Sequence, residues 1–581
     1  MASIFVSSAL SLGFSRSSYC RRRKDMVGFQ KHSCSTQVTE PIIRRSANYP
    51  PSRWSYEVLQ SVTNNYVGEK YKITSNNLKE RVRMMISKDT AMKNPLSMLE
   101  LVDDLQRLGV SYHFKDEISN VLKMIYSYHY EAHNNWNTLD LNLKALGFRL
   151  LRQHGYHIPQ EIFKDITDES GNIKASVQDD FVAMLNLYEA SFYAVDDENI
   201  MDEAREFTRK CLKEKLEKNN IVNKSIMMLI SHALEHPLLF RIPRFESVWF
   251  IEAYKTRDDM IPLLLEFAVL DYNILQGIHQ EDLKHVSKWW VGLHWIKNLE
   301  FARDSMVECF SWSVGANPEP SFSVLRRNMT KNLTFTSVLD DVYDVYGTLD
   351  ELEQFTEAVR RWDMNAAEGL PDYMRICFMG LYNTINEMAY NTFINHKSFV
   401  IPYLRKVWTE FCEANLQEAR WYYSGYIPTF EEYLKTSVIT VAVPVIVLAA
   451  YFLEANDLSN EAFDNVIHSS AIILRLTDDQ GTSEAELARG DVPKSVQCYM
   501  NETGASRNEA IAYMKRLIIN AHKTINKERM ACKSPTLQIF MECATNLGRI
   551  GHVTYDHGDM FGVPDDSHQS HHNSLLLKPK T

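Results

Sequence analysis

Apolar residues recur three and four positions apart through most of this chain, the signature of helices that bury one face. A clear case follows Asn94-Pro95, a capping side chain and a proline at the first helical position. Met98, Leu101, Val102, Leu105 and Leu108 then trace one apolar stripe. Glu100, Asp103, Asp104 and Arg107 fall on the face expected to be wet, and Gly109 stands where a helix ends. Similar spacing runs through Met184 to Tyr188 and Leu263 to Leu275. Period-two runs with Asn-Gly turns are scarce, so the pattern predicts an all-α protein.

At 581 residues the chain exceeds what one hydrophobic core usually supports, which predicts at least two domains. No Gly/Ser or Pro-rich linker divides it. The seam is expected near Lys255 to Pro262, where charges and a proline interrupt two apolar helices, so the domains should pack on each other. No fixed-period repeat occurs, which argues against a solenoid. The apolar run Val438 to Leu453 is shorter than a membrane span and is interrupted by Pro444. It predicts a kinked, buried helix and no stable membrane insertion. Pro444 has no N–H for the Thr440 carbonyl, which is then expected to face a cavity. The polar tail from Gly562 is expected to fray.

Charge and composition narrow the function. The net charge is -11, from 63 basic and 74 acidic residues, and no basic stripe suggests nucleic acid as a partner. Nine scattered cysteines without CxxC spacing read as reduced core residues. His232 and His236 form an HxxxH spacing without a third ligand, so zinc is not expected, and His568, His571 and His572 in the tail are weak metal candidates. The leader differs from the rest: Met1 to Lys24 is rich in Ser and Arg, and no acid precedes Asp25. Its charges follow the apolar stretch Ile4 to Phe14, which favours an organelle transit peptide over a secretory signal.

Two acidic helical faces carry the chemistry. The first, LDDVYD, holds Asp340, Asp341 and Asp344 among Leu333, Phe335, Val338, Leu339, Val342 and Val345. Ionised carboxylates there are costly unless a cation pairs with them. The second, LRLTDDQGTSEAE, holds Asp478, Thr482 and Glu486. Side chains four apart share a helical face over a rise of about 6 Å. Asp340 with Asp344, and Asp478 with Thr482 and Glu486, would therefore point together. These hard oxygen donors suit Mg2+, which completes its shell with water and substrate phosphate. Asp479 would point sideways as a structural residue, and Gly481 leaves room for a close neighbour.

The pair DDxxD and (N/D)DxxTxxxE resembles the class I plant terpene synthases, and the likeness spans essentially the whole chain after the leader. Arg44, Arg45 and Trp54 match the RRx8W motif of the monoterpene synthase subgroup. DVYDVYGTLDELEQFTEAVRRWD and RGDVPKSVQCYM are similarly close to it. The resemblance implies an N-terminal α-barrel domain packed on a C-terminal class I terpenoid synthase helical bundle, divided as 1–43 transit peptide, 44–260 and 261–581. It implies three Mg2+ or Mn2+ ions, with Asp340, Asp344, Asp478, Thr482 and Glu486 as metal ligands. Arg303, Arg475, Asp340, Asp344 and Asp478 would bind substrate diphosphate. The family's RxR pair reads here Arg303-Asp304-Ser305, with its second Arg missing, and Gln480 replaces an aliphatic residue.

Trp312 and Tyr555, the latter near Asp559, match the family's cavity aromatics, whose ring faces stabilise cations. Trp289, Trp290 and Trp295 read as core. Arg489, Gly490, Pro493 and Lys494 match a loop that closes over diphosphate. Arg44 and Arg45, anchored by Trp54, would strap the site for isomerisation of the substrate. The implied enzyme is a plastid monoterpene synthase: a metal-dependent lyase that ionises geranyl diphosphate and releases a C10 terpene. It would act as a monomer or homodimer. No DxDD occurs, so protonation-initiated cyclisation is not expected. A sesquiterpene synthase using farnesyl diphosphate, a chain-elongating prenyltransferase and a non-catalytic helical scaffold are the alternatives.

Overall fold

The structure, a computed structural model, describes residues 44–131, 138–218, 223–454, 461–489, 492–555 and 572–581. The predicted leader lies outside them. Among the described residues there is no β-strand beyond an isolated bridge, Thr167 to Ile173, and helices make up the fold. The helix Pro95–Arg107 forms as its sequence predicts. Asn94 accepts a hydrogen bond from the Ser97 amide, and Gly109 closes the helix at a φ of +78°. Its wet face is a correction. Asp104 is buried and accepts a 2.6 Å bond from Arg257, because the helix is covered on that side by the chain leaving Tyr254.

Two hydrophobic cores form. One gathers Val102, Phe114, Phe148, Met184 and Leu264 from the first half; the other gathers Phe310, Phe335, Trp408, Leu474 and Met541 from the second. The 31-residue helix Pro262–Gly292 threads both: Leu264 to Tyr272 pack into the first core, and Leu283 to Trp290 into the second. The expected seam at Lys255 to Pro262 thus sits just before a rigid element common to both cores.

The apolar run before Leu453 is not one kinked helix. It is two helices, Phe430–Thr440 and Val443–Glu454, parted at Ala442, whose φ is +70°. Phe430–Leu453 is long and apolar enough to cross a membrane, but 72% of its most apolar window is buried within the protein. That burial makes it a core element.

The tail is a second correction where it is described; residues 562–571 lie outside the described residues. Residues 572–581 are docked, with Leu575 and Leu576 each 1% exposed. Side chains of the long helix read the tail's backbone: Gln276 donates to the Leu575 and Lys578 carbonyls, Gln280 to Leu576 and Asn273 to Lys580. His572 bonds Ser311, a structural use of that residue. Polarity predicted fraying, but here polar backbone is satisfied by buried amides.

Candidate active site

The helix Ser323–Asp341 carries the first motif to the end of the second core. It passes into a π turn, Val342–Tyr346, in which the Gly347 amide donates to the Val342 carbonyl at 2.8 Å. Such turns are rare and recur at functional sites. Asp344 therefore sits in a widened turn and not in a continuing α-helix. Asp340 keeps 33% of its side chain open, whereas Asp341 is fully buried.

Arg303 joins the two. Its backbone N–H and Nε donate to Asp341 at 2.8 and 2.9 Å, and its Nη2 reaches Asp340 at 2.8 Å. Burial pushes the Asp340 carboxyl up, while Arg303, Lys494 and Arg475 oppose it. Burial alone would weaken the Arg303 cation, but Asp341, Tyr49 and Asp340 outweigh it and keep it charged.

The second motif repeats this arrangement within one helix, Glu461–Arg489. Arg475 donates to Asp478 at 2.9 Å and to Asp479 at 3.2 Å. Asp479 is buried and also accepts from the Tyr433 hydroxyl and the Ser495 amide, which fits its reading as structural. Thr482 is buried and its hydroxyl donates to the Asp478 carbonyl at 3.0 Å, leaving oxygen lone pairs to accept or coordinate. That Arg475 and Lys494 both act on Asp340 brings the two motifs into one electrostatic neighbourhood. The side chain of Glu486, that of Arg489, Gly490 and Asp559 lie outside the described residues.

Among the described residues no three His, Cys, Asp or Glu side chains form a ready-made metal cluster. The chemistry of the donors explains this. Asp340 and Asp478 are held by arginines, the next donor is a hydroxyl, and a hard cation needs few protein oxygens when phosphate supplies others. The set fits a divalent ion of that kind.

The strap approaches from the N-terminal side. Arg44 forms a two-pronged pair with Glu351 at 2.8 and 2.9 Å and lies over the Tyr346 and Tyr373 rings. Glu351 also closes a capping box with Thr348 at the start of the helix Leu349–Arg361, just beyond the π turn. Burial pushes the Glu351 carboxyl up, but the Arg44, Thr348 and Tyr373 donors prevail and hold it at about 2. Arg45 stacks on Tyr422 and lines a small cavity with Asp344 and Lys494. Tyr49 lies against Arg303, with 4.8 Å from guanidinium to ring centre, and Trp54 Nε1 donates to Glu308 at 3.2 Å. The strap thus touches both the first motif and its arginine.

The departures from family pattern have local explanations. Ser305 is buried and bonds Ser337 at 2.9 Å, so this position packs inward. Gln480 donates to the Leu476 carbonyl of its own helix. Gly481 meets the Tyr555 backbone, where an added Cβ would lie 2.7 Å from the Tyr555 carbonyl. Trp312 and Tyr555 are half-buried against the second core. Trp290 and Trp295 are core residues, and Trp289 packs against them. Thr440 donates to Glu418 at 2.6 Å, beside Arg475. His232 bonds Glu246 and stacks on Trp249.

Sequence reasoning missed Tyr49, Glu351, Tyr346, Tyr373 and Glu308. Of these, Glu351 was available as the capping-box acid of the Thr348-x-x-Glu351 pattern.

The fold and paired acidic motifs fit a helical enzyme that binds a divalent metal. Residues 53–234 match the terpene synthase N-terminal domain, and residues 292–524 match the terpene synthase family metal-binding domain. The chain is 48% identical over 554 residues to R-linalool synthase of Artemisia annua, a chloroplastic protein, covering 94% of this chain and 96% of that one. A crystal structure of limonene synthase with 2-fluorolinalyl diphosphate superposes with a TM-score of 0.89 at 39% identity, over 93% of this chain and 100% of that one. Isoprene synthase from grey poplar leaves, in complex with three Mg2+ ions and dimethylallyl-S-thiolodiphosphate, gives a TM-score of 0.82 at 39% identity, over 91% and 99%. The chain belongs to the terpene synthase family.

Proposed function

We propose that the protein is a plastid monoterpene synthase that ionises geranyl diphosphate and releases a C10 terpene with diphosphate. The observation that carries this reading is the pairing of two aspartate couples, one member half-buried and one fully buried in each, each with its own arginine, beneath an arginine-bearing strap. The monoterpene synthase relatives, one named chloroplastic, support substrate class and compartment. The proposed division is a transit peptide to residue 43, then residues 44–260 and 261–581; the matches at 53–234 and 292–524 fall within the last two parts.

Asp340, Asp344, Asp478, Thr482 and Glu486 would hold three Mg2+ or Mn2+ ions. When bound, these ions supply Lewis acidity to the departing phosphate oxygens. Arg303 and Arg475 present permanently charged donors to diphosphate, and Asp341 and Asp479 fix their direction. As the C–O bond breaks, the electron pair leaves with diphosphate and an allylic cation remains. The Trp312 and Tyr555 faces stabilise that cation by about 1–2 kcal/mol each when desolvated. Arg44, Arg45 and Trp54 hold the strap down and exclude water that would quench the cation. Proton loss or water capture ends the sequence.

The test is incubation of the chain lacking residues 1–43 with geranyl or farnesyl diphosphate and Mg2+, followed by gas chromatography. C10 volatiles from geranyl diphosphate, abolished by EDTA, are expected. C15 products alone would make it a sesquiterpene synthase, longer prenyl diphosphates an elongating enzyme, and no turnover a helical scaffold.

A further inference from the structure

A cavity of about 310 Å3 lies where the two halves of the chain meet, and it shares no residue with the two-motif site. The helices Pro95–Arg107 and Leu141–Gln153 wall it from one side, and Arg507–Ala531 and Pro535–Tyr555 from the other. Six arginines line it: Arg107, Arg149, Arg152, Arg241, Arg529 and Arg549.

The carboxylates that answer them are fewer. Asp103 takes Arg149 at 2.8 Å, Glu198 takes Arg152, Glu246 is shared by Arg107 and Arg241 at 2.9 Å each, and Glu542 is shared by Arg549 at 3.0 Å and Arg529. Four acids thus serve six guanidinium groups. Glu189, behind Arg149 and Arg241, adds only part of a negative charge at neutral pH, since burial pushes its carboxyl up to about 7. His154 on the wall is neutral, pushed down to about 4 by burial and by Arg529.

Arg149 is 1% exposed, and its Nε has no hydrogen-bond partner. An orphaned donor on a buried cation is costly, and an oxyanion would satisfy it. Wholly apolar side chains in the lining are few, Leu238, Pro243 and Met530 among them. The volume lies at the small end for ligand sites. Arg529 is 30% exposed, which leaves the cavity reachable from solvent.

We propose that this interdomain cavity is a second anion site, which binds inorganic phosphate or diphosphate and ties the two helical halves together. Planar guanidinium groups match the geometry of phosphate oxygens, and several converging on one small polar space form a receptor for a multiply charged oxyanion.

The experiment is calorimetric titration of the chain with sodium phosphate and, separately, sodium diphosphate, both in EDTA, with thermal melts alongside. The proteins compared are wild type, Arg529→Gln, Arg149→Gln and, as a control for the catalytic mouth, Arg475→Gln. Wild type and Arg475→Gln should bind one anion and melt several degrees higher in its presence. Arg529→Gln should weaken binding roughly tenfold, the size of one charged hydrogen bond. Arg149→Gln should weaken it at least as much; should that variant not fold, Arg529→Gln carries the test, since Glu542 keeps Arg549. The tighter of the two anions names the ligand. No binding of either anion, equal binding in wild type and Arg529→Gln, or loss only in Arg475→Gln would overturn the proposal.

Discussion

The two acidic motifs solve one problem by different routes. In each, adjacent aspartates divide the work: Asp340 and Asp478 face the mouth, while Asp341 and Asp479 are buried and orient an arginine. The second motif takes its arginine from the preceding turn of its own helix, at i−3 and i−4. The first imports Arg303 from a loop 38 residues upstream and holds it by backbone and side chain together. The helix-borne arginine is aimed by local spacing and then held by the Ser437 carbonyl and Thr440 of the neighbouring helix. A loop-borne one depends on tertiary packing, and here the strap adds to it through Tyr49.

That contrast can be broken at its buried members first. Asp341→Ala and Asp479→Ala each leave a buried arginine without its carboxylate, a loss of about 3–5 kcal/mol. Asp341→Ala should be the worse for turnover, because the Arg303 loop loses its backbone anchor as well. Urea melts with parallel product assays check this; equal losses of turnover at equal stability would remove the distinction. The outward members should separate differently. Asp340→Asn and Asp478→Asn are expected to cut kcat by roughly a hundredfold to a thousandfold while the melting temperature stays near wild type.

The strap's two anchors sharpen the comparison further. Glu308 is buried, its Oε2 has no partner, and burial pushes its carboxyl from the ordinary 4.5 up to about 7. A raised carboxyl favours the neutral form, so its contribution is full below pH 4.5 and is lost as pH rises through 7. Glu308→Gln should therefore raise stability at pH 8, by something on the order of 2 kcal/mol, and change little at pH 4. A uniform shift across pH would contradict it. At the other anchor Arg44→Ala should have the smallest effect, about tenfold on turnover. The product mixture should change with the fold intact, as read by gas chromatography and circular dichroism.

Much of the site was legible because it obeys helical spacing: Asp478 and Thr482 share a face, and the Arg475 partners follow at fixed offsets. The helix end at Gly109 was legible for the same reason. What escaped depends on contacts between distant segments. Asp104 looked wet because its cover, Arg257, arrives from far along the chain. The six cavity arginines are spread from Arg107 to Arg549, so nothing in the sequence gathers them. The π turn was invisible because one inserted residue of winding leaves the motif's letters unchanged. The docked tail was misread because its polar letters hid two leucines that bury themselves and carbonyl oxygens that the long helix's amides take up.

That attachment has a corollary for mutation. Recognition through main-chain oxygens is strict about register, and the two leucines seated beside those oxygens are strict about side chain. Polar replacements of Leu575 or Leu576, and insertions between them and Lys580, should therefore be tolerated poorly.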